Sequence, residues 1–142
     1  MALKFGARLE LAAAFGELLA RRVTVSRDAI VVPVPLAFER LSERGFNQSA
    51  QIARAFCRRS GARLDATLVR RIRHAPPQQI LTLDERRRNV RGVFAMARGV
   101  PGHEVLVVDD VMTSGSTMDE IARLLASAGA ARVHAIVVAR TP

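Results

Sequence analysis

The sequence predicts an α/β fold, with a central, mainly parallel sheet of about five strands flanked by helices in one domain over residues 1–142. Three observations carry this. Val105–Val108 is an apolar, mostly β-branched run without charge, the pattern of a strand buried on both faces. After it, Met118, Ile121, Leu124, Leu125 and Ala128 fall on one face of a helix that Gly129 ends, and Val133–Ala139 follows as a final buried strand. Strand, helix and strand in this order form a right-handed βαβ unit, which makes its two strands parallel. Ala29–Val34 supplies another short apolar run. A chain of 142 residues buries roughly 68–70% of its unfolded surface, enough for one core.

From the N-terminus, Leu9–Ala20 predicts a packing helix with Leu11, Phe15, Leu18 and Leu19 on its apolar face. Pro33 and Pro35 end the run at Ala29–Val34, because proline removes a ladder donor. Leu36–Gln48 reads as a loop carrying Arg40 and Arg44. Asn47 or Ser49 then caps a helix that runs to about Ser60, with Ile52, Ala53 and Phe56 inward and Gly61 after its end. Thr67–Ile72 predicts a short edge strand, and His74–Leu83, with Pro76 and Pro77, a mobile loop. Leu83–Val90 is a short helix with Asp84 and Glu85 early and Arg86–Arg88 late, the order that the helix dipole favours. Val93–Ala97 is a further short strand, and Val100–His103 turns into the central one.

Composition excludes several classes. There is no Trp or Tyr and only six Phe, which argues against modules that stack bases on aromatic rings. Cys57 is the only cysteine, so there is no disulfide framework and no Cys-rich metal site; a buried free thiol fits a reducing cytoplasm. His74, His103 and His134 lack ligand spacing. No uncharged run approaches a membrane span, and Glu10 and Glu17 count against a transit peptide. The net charge of +9 is concentrated: from Arg40 to Arg98 fourteen arginines meet four acids. That middle third is suited to a polyanion, either diphosphate or nucleic acid.

The chemistry gathers between Val105 and Thr117. The strand stops at Asp109 and Asp110, a turn rich in hydroxyls and glycine follows, and a helix opens with Thr117 and carries Glu120 at a capping-box spacing. Backbone N–H groups at such a helix start seat a phosphate. The turn has no Lys for a Walker A loop, and Gly115 is the only glycine between Gly102 and Gly129, so the dinucleotide fingerprint is absent too. Two acids beside a phosphate repel it unless they bind something else: a ribose diol, Mg²⁺, or both. The residues therefore predict a sugar-phosphate site. Ligands of parallel sheets bind at the carboxyl ends of strands, which places Arg40 and Arg44 near the acids.

Val105–Thr117 resembles the phosphoribosyl-diphosphate (PRPP) motif of type I phosphoribosyltransferases: an apolar strand, two acids, then Thr113, Ser114, Gly115, Ser116 and Thr117. Pro33–Leu36, Arg44–Gln48 and Arg86–Phe94 are similar, in order and spacing, to the ComF-like (competence protein F) branch. The resemblance implies that Asp109 and Asp110 hold the ribose hydroxyls, that Thr113–Thr117 hold the 5′-phosphate, and that Arg40 and Arg44 contact the diphosphate. His74–Asn89 corresponds to a mobile hood bringing Arg86 and Asn89, and Mg²⁺ bridges diphosphate and diol. Asp109, Asp110 and Arg86 are thus the implied catalytic residues. Two departures stand out. The chain has no Cys pair for the zinc ribbon with which this branch usually begins, and Thr113 stands where purine-salvage relatives carry an acid, which argues against a purine-type mechanism.

The expected function is transfer of a phosphoribosyl group from PRPP to an unidentified acceptor. The alternative is a non-catalytic nucleotide sensor or DNA-uptake accessory. The expected partners are PRPP or another ribose 5-phosphate, nucleic acid through the basic middle third, and a second copy in a homodimer.

Overall fold

The structure, a computed structural model, describes residues 2–74 and 82–141, with side chains from residue 6 onward. Eleven elements run in order: α1 (Ala2–Arg22), β1 (Ile30–Pro33), α2 (Phe38–Arg44), α3 (Gln48–Ser60), β2 (Arg63–Leu64), β3 (Val69–Arg71), α4 (Leu83–Val90), β4 (Phe94–Met96), β5 (Glu104–Met112), α5 (Ser116–Ser127) and β6 (Arg132–Arg140). The central sheet is parallel in the order β2-β1-β5-β6. Among the described residues it has four strands, against an expectation of about five. The expected edge strand at Thr67–Ile72 forms β3, which instead pairs antiparallel with β4 in a separate ribbon, while the edge of the main sheet is the two-residue β2.

Alternation along β1 and β5 builds two cores. Ile30, Val32, Val105 and Val107 face α5, meeting Met118, Ile121 and Leu125 together with Leu68, Val69 and Phe94 of the ribbon. Val31, Leu106 and Val108 face the other way, onto Ala12 of α1 and Ile52, Ala53 and Phe56 of α3. The α3 prediction holds in detail: Asn47 caps its start, and Gly61 ends it at φ 79°. β6 is less buried than expected. It is the outer strand, and of its nine residues only Ile136 is fully buried.

Helix α1 turns Phe15 and Leu19 of the predicted face inward but not Leu11 and Leu18. Leu11 and Leu18 are 51% and 47% exposed, while Ala12 and Gly16 are buried and Phe15 and Leu19 half-buried. Close approach to α3 decides this. A side chain at Gly16 would overlap Ile52 O and lie 2.6 Å from Ala55 Cβ. Small residues therefore set the seam, and the larger leucines are rotated out.

Three further expectations are corrected. Arg40 and Arg44 lie on helix α2 rather than on a loop. The capping box sits at α4, where Thr82 and Glu85 bond reciprocally, and not at Thr117 and Glu120. Strand β5 does not stop at the acids but continues through them to Met112, because β6 goes on pairing with it. The part of the predicted mobile loop at residues 75–81 lies outside the described residues. No helix among the described residues is long and apolar enough to cross a membrane.

Candidate functional site

The site arises where β1 ends and β5 does not. Pro33 is the last residue of β1, opposite Val108, and Val34 N–H donates to Val108 O at 2.9 Å. Beyond that point Asp109, Val111 and Met112 pair only with β6, opposite Val137, Ala139 and Arg140. The flank that β1 has vacated is a cleft of about 360 Å³.

Helix α3 is tied to this corner at its start. Asn47 Oδ1 accepts from Ala50 N–H at 3.3 Å, and Asn47 Nδ2 donates to Val34 O at 3.0 Å. This brings Ser49 to the end of β5, where its hydroxyl donates to Asp109 Oδ1 at 2.7 Å. The backbone N–H of Asp110 donates to the same oxygen at 2.9 Å, and Asp110 Oδ1 accepts from Val111 N–H at 2.8 Å. Burial pushes the Asp109 carboxyl up to about 6, against the pull of these two hydrogen bonds, and the neighbouring Asp110 adds to the rise. The result is a partly desolvated carboxyl beside a second acid, which a cation or hydroxyl donors would relieve.

The turn after β5 forms the second part. Gly115 takes φ 78° as the residue before α5 and offers no side chain to cap the helix, although Ser114 Oγ accepts from Ser116 N–H at 3.4 Å. The first N–H groups of an α-helix lack intrahelical acceptors. Here they open into a cradle of about 50 Å³ lined by Asp109 and by Thr113, Ser114, Gly115, Ser116 and Thr117. The Ser114 and Ser116 hydroxyls lie 2.9 Å apart, which fixes the turn from within. Helix dipole and hydroxyl groups both favour an anion here.

Cations line the opposite wall. Arg40 and Arg44 of α2 and Arg71 of β3 face the cleft that also holds Asp109, Asp110, Thr113 and Thr117. The structure therefore brings together nine of the residues singled out in the sequence around cleft and cradle, with Ser114, Gly115 and Ser116 in the cradle alone. It does not bring Arg86 or Asn89 there. Both are exposed on α4, which packs beside α5. The cause is a clasp: Glu120, buried on α5, accepts from Gly92 N–H at 3.3 Å and from Arg123 at 2.9 and 2.8 Å. It is Arg87 and Arg91 that point to α5, lining a separate hollow with Ser116, Asp119, Glu120 and Arg123.

Arg71 was not singled out by its sequence position. Its Nε is buried without a hydrogen-bond partner among the described residues, and its guanidinium lies 5.6 Å from the centre of the Phe94 ring. Burial holds its pKa below the usual arginine range, the nearby charge of Arg40 lowers it further, and Glu39 opposes them. The signal available was period two: Val69 and Arg71 share the inward face of β3, while Arg70 between them is exposed. Ser49 was considered only as a helix cap, and its bond to Asp109 spans sixty positions that no local pattern connects.

Comparison with known proteins bears on the family and the fold. Residues 10–142 match the family described as "Phosphoribosyl transferase domain". The "DNA utilization protein YhgH" of Salmonella typhi is 37% identical over 146 aligned positions, covering 98% of this chain and 64% of that protein. "Competence protein F" of Haemophilus influenzae is 33% identical, covering 78% of this chain and 49% of the relative. The chain thus spans about two thirds or less of the length of these curated relatives. Among solved structures, a glutamine PRPP amidotransferase from B. subtilis, complexed with ADP and GMP, superposes with a TM-score of 0.63 at 25% identity, over 89% of this chain and 26% of that one. A match that leaves out only the first nine residues, joined by relatives named for competence and DNA utilization, decides membership: this chain belongs to the phosphoribosyl transferase domain family, in its ComF-like branch.

Proposed function

We propose that the chain binds PRPP in the cleft and transfers its phosphoribosyl group to an acceptor, releasing diphosphate. The observation that carries this is the pair Asp109 and Asp110, held between a phosphate-sized helix-start cradle and a wall of three arginines. The cradle takes the 5′-phosphate on the N–H groups of α5 and the hydroxyls of Thr113, Ser114, Ser116 and Thr117. Asp109 and Asp110 accept from the ribose 2′- and 3′-hydroxyls, and this relieves the desolvated acid. Arg40, Arg44 and Arg71 hold the diphosphate, a task that the resemblance gave to Arg40 and Arg44.

As the C1–O bond breaks, its electron pair leaves with diphosphate, and a lone pair of the acceptor forms the new bond to C1. Positive charge grows on the ribose and negative charge on the leaving group. The carboxylates below the sugar and the guanidinium groups around the diphosphate are placed to stabilise both. Two adjacent carboxylates are hard oxygen donors of the kind that Mg²⁺ uses, and they fit an ion completed by ligand oxygens. Bound there, Mg²⁺ would neutralise charge on diphosphate. Partial burial pushes the single thiol, Cys57, up to about 11, which keeps it protonated and unreactive.

A second reading is a DNA-handling accessory that keeps the PRPP site. The names of the relatives and the fourteen arginines between Arg40 and Arg98 favour it. Steep loss of oligonucleotide binding with salt would mark it.

Thermal unfolding tests the main reading. PRPP with Mg²⁺ at a hundred times its Kd stabilises by about 2.7 kcal/mol; ribose 5-phosphate gives less, and the Asp109→Asn/Asp110→Asn double variant none. No shift at millimolar PRPP would sink the site. Diphosphate release over a panel of acceptors then separates an enzyme from an accessory.

A further inference from the structure

Arg71 also borders a second space. A hollow of about 380 Å³ shares Pro35, Leu36 and Arg71 with the cleft. Its volume suits a small ring compound. Two chemistries meet in its wall. Phe38, Leu41 and Ile72 line it while 73%, 38% and 58% exposed, an unusual concentration of apolar side chains left in water. Arg70, Arg71, Arg73 and His74 surround it, and no Asp or Glu is among its lining residues. Glu39 bonds to His74 Nδ1 at 2.8 Å from outside that lining.

An uncharged base would satisfy the apolar part and leave the guanidinium groups without an anion. It would also find no carboxylate among the described lining residues to accept from its N–H edge. We infer that this hollow takes a flat heteroaromatic ring bearing a carboxylate, and that such a ring is the phosphoribosyl acceptor. The ring lies on Phe38, Leu41 and Ile72, and the carboxylate meets the arginines. A pyridine-type nitrogen suits the transfer: its lone pair forms the bond to C1 while the C1–O pair leaves with diphosphate, and no proton has to be removed. The acceptor role rests on the PRPP reading of the cleft; the preference for an anionic ring does not.

The test uses a matched pair, nicotinate against nicotinamide, titrated calorimetrically into the full chain with and without PRPP and Mg²⁺. Nicotinate is expected to bind at least about tenfold more tightly, a difference of about 1.4 kcal/mol. In Arg70→Gln/Arg73→Gln, whose two sites lie outside the cleft, the preference shrinks below about twofold while PRPP affinity is retained. Equal affinity for the pair, or a preference that survives the double substitution, overturns the inference. So does oligothymidylate binding that the same variant loses when nicotinate does not bind at all. PRPP binding without nicotinate binding rejects the acceptor class alone, whereas nicotinate binding without PRPP binding rejects the reading of the cleft and with it the acceptor role.

Discussion

The Ser49 hydroxyl donates to Asp109 Oδ1 at 2.7 Å, joining the first turn of α3 to the end of β5. This bond orients a carboxyl that burial would otherwise turn neutral, and it favours the charged form. Ser49→Ala is expected to cost about 1.5–3 kcal/mol at pH 7, the range for hydrogen bonds to charged groups. It should also raise the Asp109 pKa further. Urea unfolding reads the first effect and carboxyl-carbon NMR titration the second.

The same carboxyl gives a pH dependence. Its folded pKa of about 6 lies above the ordinary 3.8, so between those values the folded chain binds more protons than the unfolded one. Stability of the ligand-free chain should therefore fall as pH rises from about 4 to about 6 on account of this group. Asp109→Asn removes that slope in urea midpoints measured across the window. PRPP affinity should run the other way, rising as Asp109 ionises.

Gly16→Ala inserts a methyl group where Ala55 Cβ would be 2.6 Å and Phe56 N 2.9 Å away. α1 must then move off α3, at the cost of overpacking, about 1–3 kcal/mol. Leu18→Ala, on the exposed side of the same helix, should change the urea midpoint far less.

Glu120→Gln removes the charged anchor of Gly92 and Arg123, with an expected loss of about 1.5–3 kcal/mol at pH 7. The Arg123 hydrogen bonds hold the Glu120 carboxyl below its usual pKa. Its contribution is therefore full above the ordinary carboxylate range and lost as pH falls through the lowered value. Acid unfolding of the variant should lack that component.

Arg71→Met tests the cation that the sequence did not single out. A half-buried guanidinium whose buried Nε has no partner among the described residues stabilises the ligand-free fold little, so the unfolding midpoint should hold or rise. PRPP affinity should fall by roughly ten- to a hundredfold, as one charge-assisted contact is worth about 1.5–3 kcal/mol. A calorimetric titration with Mg²⁺ present measures it.

What the sequence could show followed from local periodicity. Strand β5, helix α5 and helix α3 were legible because burial on a repeating face leaves a repeating pattern, and the acids and turn hydroxyls stood next to each other in the chain. The α1 face was misjudged at Leu11 and Leu18 because a glycine in a tight helix seam outweighed the larger leucines, a preference that no hydropathy pattern records. Strand β5 was read short because two acids end an apolar run, although backbone pairing with β6 does not depend on side-chain polarity. The positions of Arg71 and Ser49 come from long-range packing. The resemblance set Arg86 and Asn89 in the site, whereas the clasp of Glu120 on Gly92 keeps α4 beside α5.

β5 outruns β1 by four residues, and this makes the site sensitive to chain length as well as to side-chain chemistry. One residue inserted or deleted between Val105 and Val108 would exchange the two faces for every strand position on one side of the change, turning residues meant for α5 toward α3 and the reverse. The same step would carry Asp109 away from Ser49 and draw the Gly115 turn toward or away from Pro33. Exposed loops can absorb changes in length; this strand cannot, and it is there that an otherwise conservative indel would abolish both packing and binding at once.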